Sequence, residues 1–136
     1  MQRQWIGGDT RSTGGDRLAG IVDFGDMTRG ARVEDLAIAA AYQCLGVEDV
    51  SAIVVAAATG YTRRLQLSAA ELELLPDLAI SRLVQSIIIS AWRTGLHPDN
   101  REYILIHAEP VWQALQRLKA IDLDALPLPN SAPEAL

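Results

Sequence analysis

A short β element followed by an array of helices is the fold class this sequence predicts, and three observations carry the prediction. Two β-branched residues, Ile21 and Val22, lead into Asp23-Phe24, with Gly25 directly after. From Val33 onward, apolar residues recur at helical rather than alternating spacing. A capping box, Ser68-Ala69-Ala70-Glu71, opens the longest of these stretches. With 136 residues the chain fits one domain able to bury a core of its own.

Residues 1–17 are rich in Gly, Ser, Thr, Arg and Asp without either period, and Gly7-Gly8 and Gly14-Gly15 are turn signals, so a flexible loop-like N-terminus is expected. Neither G-x-x-x-x-G-K-[ST] nor G-x-G-x-x-G occurs there, which argues against a phosphate-cradling loop. Leu18 to Phe24 reads as a short strand. A first helix follows from Val33, with Leu36, Ala39, Ala40 and Tyr42 on one face and an end near Gly46. Val50 to Ala58 forms a second helix, terminated before Gly60.

The third helix starts at the capping box, where Leu67 can staple against Leu72. Ile80, Leu83, Val84, Ile87, Ile88 and Ala91 supply its apolar stripe, and Asp77, Ser81, Arg82, Gln85 and Arg93 fall mostly opposite. Pro76 is expected to kink or split this helix, because it lacks an N–H and crowds the preceding turn, and Gly95 is the expected end. Asp99 to Glu102 resembles a further helix start. Pro110 suits the first turn of a last helix striped by Val111, Trp112, Leu115 and Leu118. Residues 123–136, with three prolines from Pro127 onward, are expected to be a disordered tail. No internal repeat is visible.

Composition excludes several function classes. The formal charge is −5 and basic residues are not clustered, against a nucleic-acid surface. The apolar run Ile87-Ile88-Ile89 is interrupted by Ser86, Ser90 and Arg93, so no membrane span of about 20 apolar residues is expected. Met1 to Trp5 lacks the apolar core of a secretory signal, and a soluble, cytoplasmic chain is the expectation. Cys44, the single cysteine, has no partner for an internal disulfide and reads as a small core residue.

The stretch Gly20 to Met27, G-I-V-D-F-G-D-M, is the most informative for chemistry. A short strand there would deliver the Asp23 carboxylate to a turn that Gly25 makes flexible. Enzymes that hold Mg²⁺ against nucleotide phosphates need a rigidly presented oxygen ligand of this kind. The plainer alternative is an Asp capping a turn after an edge strand. Other candidates are weaker. His97 and His107 have no Cys partner and no H-x-x-x-H spacing, against a metal site. Ser86 and Ser90 have no neighbouring His in sequence and read as exposed helix serines, Trp92 and Trp112 as core aromatics, and Arg63-Arg64 as a solvated turn.

Glu34-Asp35-Leu36-Ala37 opens an apolar helix, with Asp35 twelve residues after Asp23. With this sequel the chain resembles the aminoglycoside phosphotransferase and choline kinase-like superfamily, most closely its hydroxylysine kinase-like branch. Gly60-Tyr61, Leu67 to Leu75, Arg82-Leu83, Ser86 and the Tyr103 region are similar to that branch as well. The likeness runs from about Leu18 to Leu118 and covers only the later part of the family's domain. It implies the helical C-lobe portion of a protein kinase-like fold, over residues 18–122.

The resemblance also implies roles. Asp23 matches the aspartate that ligates Mg²⁺ between the phosphates of ATP or GTP, with Asp26 matching in type, and Gly25 permits the turn that aims Asp23. Asp35 matches a buried aspartate that accepts backbone hydrogen bonds from the catalytic loop; read on residues alone, it favours a helix N-terminus. A complete member has a β-rich lobe with a phosphate-binding Lys, then an H-x-D-x-x-x-x-N loop before the metal aspartate. Here both His residues lie downstream of Asp23, and Lys119 is the single lysine. No catalytic base is therefore assigned within the chain.

Two readings follow from this pattern. In the first, the chain is the C-terminal part of a phosphotransferase acting on a hydroxyl of an amino alcohol or amino acid, from a truncated or split gene or a larger fusion with an aminotransferase. In the second, it is a non-catalytic helical binding or assembly module. Self-association or a partner supplying the missing lobe is expected in either case, because uncovered apolar surface would remain.

Overall fold

The computed structural model describes residues 29–123 and 125–129. Over this range the chain folds into α1 (Arg32–Gln43), α2 (Val50–Thr62), α3 (Ala69–Leu96), a 3-10 turn (Pro98–Asn100), the single-turn α4 (Arg101–Ile104) and α5 (Ala108–Ala120). No strand occurs among the described residues, which agrees with the expected predominance of helix. The strand expected over Leu18 to Phe24 lies outside them.

The longest helix organises the rest. α3 has 28 residues, a length of about 42 Å at 1.5 Å per residue. α1 and α5 pack on it, and α2 packs on α1 and α5. Its start is fixed twice over. Ser68 Oγ accepts from the Glu71 backbone N–H at 3.3 Å while the Ser68 backbone N–H donates to Glu71 Oε2 at 2.8 Å. Leu67 and Leu72, the two residues of the staple, are both buried in the core.

The core is one cluster, built from Val33, Leu36, Ala37 and Ala41 of α1, Val50, Val54 and Ala58 of α2, Leu72, Leu75, Ala79 and Leu83 of α3, and Val111, Ala114, Leu115 and Leu118 of α5. Alanine recurs wherever two helices meet, and a methyl side chain permits close approach of the backbones. Cys44 is fully buried in this cluster, as expected. Arg117 adds a polar tie, donating to the Val47 carbonyl at 2.8 Å and so linking α5 to the α1–α2 loop. Leu126 and Leu128, within the stretch expected as tail, are half-buried against the core.

Several boundaries differ from expectation, each for a physical reason. α2 runs through Gly60 to Thr62, because Gly60 keeps a negative φ and takes no left-handed turn; the Thr59 and Thr62 hydroxyls donate back to the Val55 and Ala58 carbonyls. Gly46, at φ 74°, takes the left-handed turn after α1. α3 does not split at Pro76, and it ends at Leu96, one residue past the Gly95 expected as its end. Pro76 is buried between Leu72, Leu75 and Ala79, and their burial offsets the lost hydrogen bond. The helix start expected at Asp99 is a 3-10 turn leading into α4.

The buried faces are also rotated from those expected. On α1, Ala39 and Tyr42 are exposed, and Val33, Ala37 and Ala41 are buried instead. On α3 the buried line is Leu72, Leu75, Ala79 and Leu83, while Val84 and Ile88 face outward. Trp92 and Trp112, expected in the core, are 64% and 50% exposed. α3 is moreover long and apolar enough to cross a membrane by length and composition, contrary to expectation. The interruptions by Ser86, Ser90 and Arg93 are too few to lower its average, and α1 and α5 cover part of its surface.

Two outcomes test this architecture. Leu83→Ala lowers unfolding free energy by about 2–5 kcal/mol and Ser68→Ala by about 0.5–2 kcal/mol in urea titrations, the first by leaving a cavity and the second by orphaning a helix-start donor. Burial raises the Cys44 thiol pKa to about 11. The folded state therefore favours the neutral thiol, so its contribution to stability is intact below the unfolded-chain value near 9 and is lost as pH rises toward 11. Thiol reagents at pH 8 are expected to label Cys44 only after unfolding.

Candidate functional site

Three helix ends converge where the residues of the family likeness lie. α1 starts at Arg32, nine residues after Asp23, and Glu34 and Asp35 occupy its first turn. Two carboxylates there complement the partial positive charge of a helix N-terminus. Tyr61, in the last turn of α2, donates its hydroxyl to the Arg32 carbonyl at 3.3 Å. Arg32 reaches across to Glu71 of the α3 capping box, at 4.0 Å. The starts of α1 and α3 and the end of α2 are thus tied together by one tyrosine and one exposed ion pair.

The electrostatics of this end follow from those contacts. Burial first, and then the Asp35 charge, push the Tyr61 phenol upward, while the Arg32 charge opposes them. Tyr61 is therefore a hydrogen-bond donor at neutral pH. The Ser68 N–H and hydroxyl hold the Glu71 carboxyl below its ordinary value. Asp35, matched by the resemblance to a buried aspartate, is exposed on α1, because no described segment covers the start of that helix. Asp23, Gly25 and Asp26 lie outside the described residues, so the structure does not test their expected roles.

A second polar cluster was not legible beforehand. Arg82, on α3, donates from Nη2 to the Tyr42 hydroxyl at 2.9 Å and from Nη1 to Gln85. Its guanidinium also stands over the Tyr42 ring, 5.4 Å from the centroid. The Tyr42 hydroxyl lies 3.4 Å from Ser86 Oγ. Tyr42, expected on an apolar stripe, instead joins α1 to α3 by a cation–π contact and hydrogen bonds. Sequence spacing could not show it, since Tyr42 and Arg82 are forty positions apart. The Nε of Arg82 is buried without a hydrogen-bond partner.

The remaining candidates hold no constellation. His97 caps α3 through its backbone, His107 precedes α5, and both are exposed. Arg63 and Arg64 form an exposed turn, as expected. Ser86 and Ser90, expected exposed, are half-buried. Among the described residues no group of three His, Cys, Asp or Glu could hold a metal ion. An open groove of about 380 Å³ lies between the start of α2 and the segment after α5, lined by Ser51, Ala52, Val55, Ile121, Asp122 and Leu126. The Ser51 hydroxyl there is engaged by Asp49, the α2 N-cap, at 2.6 Å.

Comparison with known proteins supplies the relationship. The chain is 36% identical to mouse (Mus musculus) hydroxylysine kinase over 104 residues, 75% of this chain and 27% of that protein. It is 30% identical to the bovine (Bos taurus) hydroxylysine kinase over 102 residues, again 75% of this chain and 27% of the relative. The Xenopus laevis hydroxylysine kinase is 29% identical over 110 residues, 81% of this chain and 29% of the relative. No family model matches the chain, and no solved structure matches it. The chain spans less than a third of the length of these relatives. Over about three quarters of its own length, it is thus related in sequence to a family of kinases.

Proposed function

We propose that this chain is the C-terminal part of an ATP- or GTP-dependent small-molecule phosphotransferase that acts on a hydroxyl of an amino acid or amino alcohol. The observation that carries the reading is the 36% identity to a hydroxylysine kinase over 104 residues. The convergence of Asp35, Tyr61, Ser68 and Glu71 at one end of the helical array supports it, because these lie in the segments of likeness.

In this reading Asp23 contributes one oxygen ligand to Mg²⁺, and Asp26 lies close in sequence as a second carboxylate. Gly25 allows the turn that presents Asp23, and Asp35 braces the catalytic loop of the whole enzyme. The described residues do not furnish an ion site by themselves. Mg²⁺ held through one or two carboxylates relies on substrate phosphates for further ligands. The base and the second protein ligand belong to the H-x-D-x-x-x-x-N loop, which this sequence does not contain. The proposed whole enzyme binds a nucleotide and a small hydroxylated amine or amino acid in the cytoplasm, and its superfamily and C-lobe assignment are those implied by the resemblance.

Two outcomes test it. The purified 136-residue chain is expected to show no Mg²⁺-dependent phosphorylation of hydroxylysine or ethanolamine in a radiolabelled-ATP assay; turnover would overturn the incompleteness of the site. Residues 18–118 placed in mouse hydroxylysine kinase, in exchange for the matching segment, should retain phosphorylation of hydroxylysine. Asp23→Ala in that chimera should then lower kcat by about 10²-fold or more, the scale of a lost electrostatic contact to the reacting group, while helix content is unchanged. An active Asp23→Ala chimera would refute the metal-ligand role.

A further inference from the structure

The cluster around Arg82 holds more donors than the fold accepts from. Arg82 is half-buried on α3, and its guanidinium is permanently charged and donates only. Among the described residues its hydrogen-bond acceptors are Gln85 Oε1 and the Tyr42 hydroxyl, both neutral. The Nε–H is buried with no acceptor at all. No described carboxylate pairs with Arg82; the ion pair that these residues do form joins Arg32 to Glu71. Arg117, the other half-buried arginine among them, meets the Val47 carbonyl and leaves no such orphan. The hydroxyls beside Arg82 add further donors. The Tyr42 hydroxyl accepts from Arg82 Nη2, so its own proton points elsewhere, and Ser86 Oγ stands 3.4 Å from it. Tyr42 and Gln85 are exposed and Ser86 is half-buried, so the cluster opens to solvent beside α1 and α3.

We propose that Arg82, Tyr42 and Ser86 bind a carboxylate, and that in the whole enzyme it is the carboxylate of an amino-acid acceptor. Unpaired donors beside a permanent positive charge call for a ligand that is negatively charged and accepts only. A single guanidinium flanked by hydroxyls balances a monoanion, whereas a phosphate dianion would be left under-compensated. The planar guanidinium matches a carboxylate in shape, since both of its oxygens can accept in one plane. The Tyr42 hydroxyl, polarised by donation from Arg82, gives its proton to the same ligand, and Ser86 Oγ is the next donor in line. Arg82 and Ser86 both fall in the segments of family likeness. Such a site selects an amino acid over an amino alcohol, which has no carboxylate to offer. Carboxylate binding rests on the cluster alone; its identity as the acceptor's carboxylate rests on the phosphotransferase reading.

Nuclear magnetic resonance of the isotope-labelled 136-residue chain tests the site without turnover. Sodium acetate, hydroxylysine, ethanolamine and sodium chloride are titrated at constant ionic strength. The Arg82 Nε–H signal and the backbone amides of Tyr42 and Ser86 are expected to shift saturably with acetate and hydroxylysine, and not with ethanolamine or chloride. Arg82→Lys keeps the charge but loses the planar fork, and should weaken acetate binding about tenfold or more, the scale of a hydrogen bond to a charged group. Tyr42→Phe keeps the ring and should weaken it about threefold or more, a readout that survives if Arg82→Lys disturbs the fold. Shifts as large with chloride as with acetate, no saturation with acetate, or acetate binding indifferent to both substitutions would each overturn the site. Shifts with acetate but none with hydroxylysine would overturn the acceptor assignment. Failure of the phosphotransferase reading is seen instead in the chimera carrying residues 18–118, whose activity does not enter this titration.

Discussion

The seam made by Leu72, Leu75, Ala79 and Leu83 along one side of α3 is the constraint on which the described structure rests. Leu75, Ala79 and Leu83 are fully buried, and both α1 and α5 pack on the helix that carries them. Large-to-small changes along such a seam cost transfer energy and leave a cavity, so these positions dominate stability. The capping box and the Leu67–Leu72 staple fix where the helix begins, and that sets the register of every contact downstream. Pro76 is tolerated inside the helix because it sits on this buried line.

The same helix start also organises the polar end of the molecule. Glu71 closes the capping box and receives Arg32, whose carbonyl receives Tyr61. A change at Ser68 or Glu71 therefore acts on fold and on the region of family likeness together. Arg82 and Tyr42 make a second tie between α1 and α3 further along. Between them, these contacts hold α1, the helix that follows the Asp23 segment in sequence, in a defined orientation on α3. The chain spans under a third of its curated relatives, and the proposed chemistry needs the portion that they possess beyond it.

Much of the helical order was legible because local signals are strong where they are short-range. Ser68 with Glu71 is a capping box in sequence and in structure, and Gly46 ends the first helical stretch as a left-handed turn. What failed was the choice of face. From Ile80 to Leu96 nearly every rotation of α3 offers an apolar stripe, so periodicity cannot tell which one meets α1 and α5. Trp92 was misplaced for this reason, Trp112 because the buried stripe of α5 runs through Val111, Ala114, Leu115 and Leu118 beside it, and Tyr42 because its hydroxyl finds Arg82 and Ser86. Gly60 failed as a stop signal because it keeps a negative φ inside α2, and the left-handed turn that glycine permits occurs at Gly46 instead. The kinase relationship was suggested by Asp23-Phe24-Gly25 and Asp35-Leu36-Ala37, a pattern of residues that packing alone does not require.

Native-state hydrogen exchange on the isolated chain tests the central claim most directly, that the buried line of α3 holds these helices as one self-standing unit. The slowest amides should lie in α3 between Leu75 and Leu83 and in the facing turns of α1 and α5, exchanging together at the free energy of global unfolding. Fast and uniform exchange through α3, or protection confined to α2 with α3 unprotected, would contradict it.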